Sequence, residues 1–117
     1  MKETIETIAK WHRETFPDAT LDGQITKFNE EWDEYFWAKT PEEKIKELAD
    51  VFIVACGISR FDLQEGLYYI GDAWQLYTSS PFGWAELGPA IEAKMKKNRA
   101  RTWGKTAEGT YHHTNEE

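Results

Sequence analysis

Two short acidic runs carry most of what this chain could do chemically: Glu30-Glu31-Trp32-Asp33-Glu34 and Glu47-Leu48-Ala49-Asp50. On a helix, positions three apart lie about 60° apart around the axis, so Glu31 shares a face with Glu34, and Glu47 shares one with Asp50. Two antiparallel helices joined by a short loop would set the pairs opposite each other, because positions 34 and 47 bracket the connection almost symmetrically. A buried, unpaired carboxylate costs several kcal/mol. Four converging carboxylates therefore raise one another's pKa or recruit a hard cation, and an all-oxygen set suits Mg²⁺ with water and substrate phosphate completing its shell. The chemistry implied is magnesium-assisted phosphate chemistry. The plainer alternative is a pair of solvated helix faces with local pairs such as Lys46 to Asp50.

A second group lies near the other end of the chain. Lys94, Asn98 and Arg101 follow spacings of four and three and so share a helix face, with Lys97 and Arg99 flanking them. Arginine forks and an amide suit phosphate oxygens, whereas the plainer alternative is a basic stripe that balances nearby acid. Trp103 just beyond could stack on a base or pack on the core at a helix end.

The elements that must position these residues read as helices. Ile5, Ile8 and Trp11 recur at helical spacing from Thr4 to Thr15, and Phe16-Pro17-Asp18 stops the pattern. Ala19 to Gly23 reads as a loop, after which Ile25, Phe28, Trp32, Tyr35 and Phe36 form an apolar stripe on a helix ending near Ala38. Thr40-Pro41-Glu42-Glu43 has the form of a capping box and opens a third helix that runs toward Phe61. The second half of that helix is apolar nearly all round, which predicts burial on most sides and a second copy of the chain to complete the cover. A fourth helix is expected within Asp62 to Trp84, weakened by Gly66 and Gly71, and a fifth from Ala90 to Arg101 after Gly88-Pro89. No strand period stands out. The expected fold is an all-α bundle of four to five helices over residues 1–104, followed by a polar, flexible tail over 105–117. His112 and His113 in that tail could bind metal but read more simply as solvated.

Composition narrows the function classes. With 117 residues the chain suits one domain with one core. A net charge of −7 disfavours nucleic acid as a partner and favours a metal. Val51 to Ile58 is the longest apolar run, less than half of the roughly 20 residues that span a bilayer, and no secretory h-region follows Met1, so neither membrane nor export is expected. Cys56 stands alone, which excludes an intrachain disulfide and a cysteine zinc site and fits the cytoplasm; within its apolar run it reads as a small buried hydrophobe.

Taken together, Lys27-x-x-Glu30-Glu31-x-x-Glu34 followed by Glu47-x-x-Asp50 resembles the paired acidic motif of the MazG-like all-α nucleoside triphosphate pyrophosphohydrolases. The 12 residues between Glu34 and Glu47 are at the short end for that family. Lys94-x-x-x-Asn98-Arg99-x-Arg101-x-Trp103-Gly104 looks like its closing basic helix in the form of the phage-type purine deoxynucleotide pyrophosphohydrolases, and Trp11-His12 and Phe16-Pro17-Asp18-Ala19-Thr20 are similar to that group as well. The segment Asp62 to Trp84 departs from the pattern. The resemblance implies that Glu31, Glu34, Glu47 and Asp50 hold one or two Mg²⁺ (or Mn²⁺) ions, with Glu30 as a further base or supporting group. It implies that Lys94, Asn98 and Arg101, or Arg99 in place of Arg101, grip the β and γ phosphates, with Lys27 and Trp103 as further substrate contacts. The implied reaction is hydrolysis of a (deoxy)nucleoside triphosphate, a purine dNTP by the phage-type likeness, to the monophosphate and pyrophosphate. A homodimer or homotetramer in the cytoplasm, the host's if phage-encoded, goes with it. The rival expectations are a non-catalytic helical module that docks a protein through Tyr68, Tyr69, Trp74 and Trp84, and a nucleotide sensor that binds without cleaving.

Overall fold

A computed structural model describes residues 2–101, 103–105 and 111–113. Five helices follow one another, α1 (Ile5–Thr15), α2 (Leu21–Trp37), α3 (Pro41–Ile58), α4 (Leu63–Thr78) and α5 (Trp84–Ala100), and a ribbon of two three-residue strands, β1 (Trp103–Lys105) and β2 (Tyr111–His113), comes after them. The fold class is all-α, as expected. Among the described residues, no helix is long and apolar enough to cross a membrane.

α3 is the axis of the bundle and packs against α1, α2, α4 and α5. Its start is fixed by the predicted capping box: Thr40 Oγ1 accepts from the Glu43 N–H, and the Glu43 carboxylate accepts from the N–H groups of Lys39 and Thr40. From Leu48 to Ile58 every residue is buried except Asp50. One chain thus encloses α3 by itself, and its cover does not require a second copy. The large apolar side chains left exposed lie elsewhere, at Trp37, Leu63, Leu67, Tyr68, Trp74 and Trp84 among others.

Several boundaries differ from the sequence reading for local reasons. α2 starts at Leu21, inside the expected loop, because Thr20 caps it by accepting from the Gly23 N–H. α3 stops at Ile58, and tight turns (Ser59 N–H to the Cys56 carbonyl, Phe61 N–H to that of Ile58) carry the chain on. α5 starts at Trp84, ahead of Gly88-Pro89, with the Gly83 N–H donating to the Glu86 carboxylate at 2.9 Å. Pro89 removes one hydrogen bond in the second turn, while Leu87 beside it is completely buried. The ribbon pairs Trp103 with His113, Gly104 with His112 and Lys105 with Tyr111. Strands of three residues are too short to show a period, and they take up part of the stretch read as a tail; 106–110 and 114–117 lie outside the described residues.

Gly66 explains how α4 folds back on α3. A Cβ there would sit 2.4 Å from Cα and Cβ of Ser59, so only glycine lets the first turn of α4 rest against the corner after α3.

Candidate functional site

α2 and α3 run antiparallel and present one face each to a cleft of about 350 Å³. From α2 the face is Gln24, Lys27, Glu31 and Glu34; from α3 it is Glu47 and Asp50, then the apolar Ile53 and Val54. α5 closes the opposite wall with Lys94 and Asn98, Arg101 follows at its C-cap, and Trp11, His12, Phe16 and Trp103 line the rest.

At the acidic end, one carboxylate oxygen from each of Glu31, Glu34 and Glu47 lies within 4.8 Å of the others. Glu31 is buried, Glu47 half-buried and Glu34 exposed. Oε1 of Glu31 and Oε1 of Glu47 are buried with no hydrogen-bond partner among the described residues. Lys27 Nζ lies 3.5 Å from Glu31 Oε2, and Lys94 Nζ lies 3.4 Å from Asp50 Oδ2, so Asp50 pairs across to α5 and not with Lys46. Four carboxylates are thus held by two ammonium groups, and two oxygens are left without a donor.

The electrostatics follow from that imbalance. Burial pushes the Glu31 carboxyl up to about 7, with the charges of Glu34 and Glu47 adding and Lys27 opposing. Burial also pushes Asp50 up to about 7, Glu31 adding and Lys94 opposing. Glu47 is raised by burial and then by Asp50 and Glu34. Hard oxygen donors, orphaned oxygens and excess negative charge together fit a divalent cation of the Mg²⁺ or Mn²⁺ type. Glu31, Glu34 and Glu47 are the residues placed to hold it.

The apolar end is built differently. Arg60 Nη1 donates to the Phe16 carbonyl at 2.7 Å and lies 3.2 Å from His12 Nδ1. A guanidinium only donates, so Nδ1 accepts and the ring proton sits on Nε2, which donates to Gln24 Oε1 at 2.9 Å. Gln24 Nε2 in turn donates to the Val54 carbonyl. Burial first, then the Arg60 charge, depresses His12 to about 4 and keeps it neutral at pH 7. Gly57 leaves room for this chain of bonds: a Cβ there would lie 2.7 Å from Gln24 Nε2 and 3.0 Å from the His12 ring. Trp103 donates from Nε1 to the Asn98 carbonyl and meets Phe16 and Trp11 edge-on, so the indole is both packed and part of the cleft wall.

Of the residues expected from sequence, Lys27, Glu31, Glu34, Glu47, Asp50, Lys94, Asn98, Arg101 and Trp103 meet in this one cleft. Glu30 does not: it is exposed, 3.9 Å from Lys27, on the solvent side of α2. Arg99 does not either, since its guanidinium forks onto the Glu3 carboxylate at 2.8 and 3.0 Å, while Arg101, in extended backbone just past the end of α5, lines the cleft. Arg101 keeps a buried Nε without a partner among the described residues. Cys56 is buried, its thiol pushed up to about 12 by burial alone, which suits a packing role. Sequence reasoning passed over Gln24, yet 24, 27, 31 and 34 form one helical stripe, and that spacing was the available signal.

The carboxyl shifts give a sign for pH dependence. A carboxyl raised in the folded state contributes stability that is complete below its unfolded value and lost as pH rises through about 7. His12, depressed to about 4, acts the other way, but only below about 6.5. The two raised carboxyls outweigh the one histidine, so in EDTA the melting temperature is expected to fall as pH rises from about 5 to about 7 and to level off above that. Mg²⁺ should restore it at pH 8 and do little at pH 6, where protons compete for the same oxygens. Calorimetric melts with EDTA and with Mg²⁺ check this; a flat profile indifferent to Mg²⁺ would contradict it.

No protein-family model, curated protein or solved structure matches this chain.

Proposed function

We propose that the cleft is the site of a Mg²⁺-dependent nucleoside triphosphate pyrophosphohydrolase that cleaves between the α and β phosphates, releasing the monophosphate and pyrophosphate. The observation that carries this reading is the facing of two opposite chemistries across about 350 Å³: carboxylates with orphaned oxygens on α2 and α3, and Lys94 and Asn98 on α5 with Arg101 at its C-cap. An acidic site alone would repel a triphosphate, and a basic one alone would hold it without a place for the metal. When bound, the divalent ion supplies charge neutralisation and a more acidic water.

The chain's own residues do the rest. Lys94 and Arg101 grip the β and γ phosphates, with the Asn98 amide between them in sequence and on the same face. The carboxylate of Asp50, 3.4 Å from Lys94, takes a proton from the attacking water. Trp11, Phe16 and Trp103 offer aromatic edges and faces to a base at the far end of the cleft. Gln24 and Glu31 lie seven positions apart, about 10 Å along a helix, enough to place a base and a sugar between the two ends. A purine deoxynucleotide preference rests on the phage-type resemblance alone.

Phosphorus NMR of the products tests the bond that is cut. Monophosphate and pyrophosphate in equal amounts are expected; diphosphate and inorganic phosphate would contradict the proposal.

A further inference from the structure

Away from the cleft, an open surface hollow of about 270 Å³ lies between α2 and α4, lined by Phe28, Asn29, Trp32, Tyr68, Tyr69 and Asp72. Its rings form a corner. Phe28 and Tyr69 meet at 62° with centroids 4.9 Å apart, Tyr68 and Tyr69 at 89° and 5.1 Å, and Phe28 and Trp32 at 34° and 5.7 Å. Phe28 is buried beneath, so the rings open to solvent here are Trp32, Tyr68 and Tyr69, and an aromatic face carries negative potential. Asp72, at the same hollow, makes no ion pair with any described Lys or Arg. The Tyr69 hydroxyl is raised by burial and then by the charges of Glu65 and Asp72, which marks the potential here as negative.

Elsewhere the chain supplies its own cations to its rings, Lys44 over Tyr35 at 4.7 Å and Arg60 over Phe61 at 4.3 Å. No described Lys or Arg lies over the Trp32, Tyr68 and Tyr69 corner. We propose that this corner is a binding site for a small organic cation of the quaternary ammonium type. Such a head group needs no hydrogen-bond acceptor and sheds water easily, and it gains both the ring faces and the Asp72 carboxylate. A hydrated metal ion would gain little from the rings.

The test is a titration of choline and of its neutral isostere 3,3-dimethyl-1-butanol, followed by NMR, into the wild-type chain and Asp72→Asn. Saturable choline binding is expected, with the isostere about tenfold weaker and Asp72→Asn costing about tenfold for choline alone. Pyrophosphate release should be unchanged in that variant, because Asp72 lies outside the cleft. Tyr68→Ala, at an exposed ring, should weaken choline without altering the melting temperature. Equal binding of both compounds, full choline affinity in Asp72→Asn, or no saturable choline binding by the wild-type chain would each overturn the assignment.

Discussion

Glu47→Gln is expected to lower Mg²⁺-dependent pyrophosphate release on the order of 10²–10³-fold while the metal-free protein melts at a higher temperature than wild type. The two effects have one cause. Glu47 Oε1 is buried without a partner, beside Glu31 and Glu34 and one turn from Asp50. Glutamine keeps the shape, removes one of the charges that repel one another, and takes away an oxygen donor the cation needs. A merely structural glutamate would give the opposite pattern, turnover kept and stability unchanged or lost. Initial rates and calorimetry on the same sample separate the two, and turnover within a few-fold of wild type would remove the carboxylate cluster from the reaction.

The largest expected effect on the fold is at Gly66. Helix propensity alone favours alanine over glycine in a helix interior by about 1 kcal/mol. Packing says the reverse, because the new Cβ would lie 2.4 Å from Cα and Cβ of Ser59 and 2.8 Å from its backbone nitrogen, none of which yields cheaply. Gly66→Ala should destabilise by about 1–3 kcal/mol, a drop of several degrees in melting temperature. Gly71→Ala in the same helix meets nothing within 4 Å and should stabilise instead. Denaturant titration of both variants reads the two signs; a stabilised Gly66→Ala would mean that α4 does not rest on the corner after α3.

These two glycines show where the sequence was legible and where it was not. Both interrupt the same helical pattern and look alike in one dimension; only the close approach of Ser59 distinguishes them. The antiparallel placing of Glu31, Glu34, Glu47 and Asp50 could be read from helical phase, because the Thr40 capping box fixes where α3 begins. The choice between Arg99 and Arg101 could not, since it depends on the partner Glu3, 96 positions away in the chain. Gly88 and Pro89 hid the first turns of α5 because tertiary burial of Leu87 outweighs their poor propensity. The cover of α3 was hard to read for a related reason: α4, the element with the weakest pattern, supplies part of it.

The most direct test of the whole account is pyrophosphate release by the unmodified chain from a panel of ribo- and deoxynucleoside triphosphates, with Mg²⁺ and with EDTA. The account predicts release that requires the metal and ranks the nucleotides. Silence across the panel, or release that survives EDTA, would contradict it.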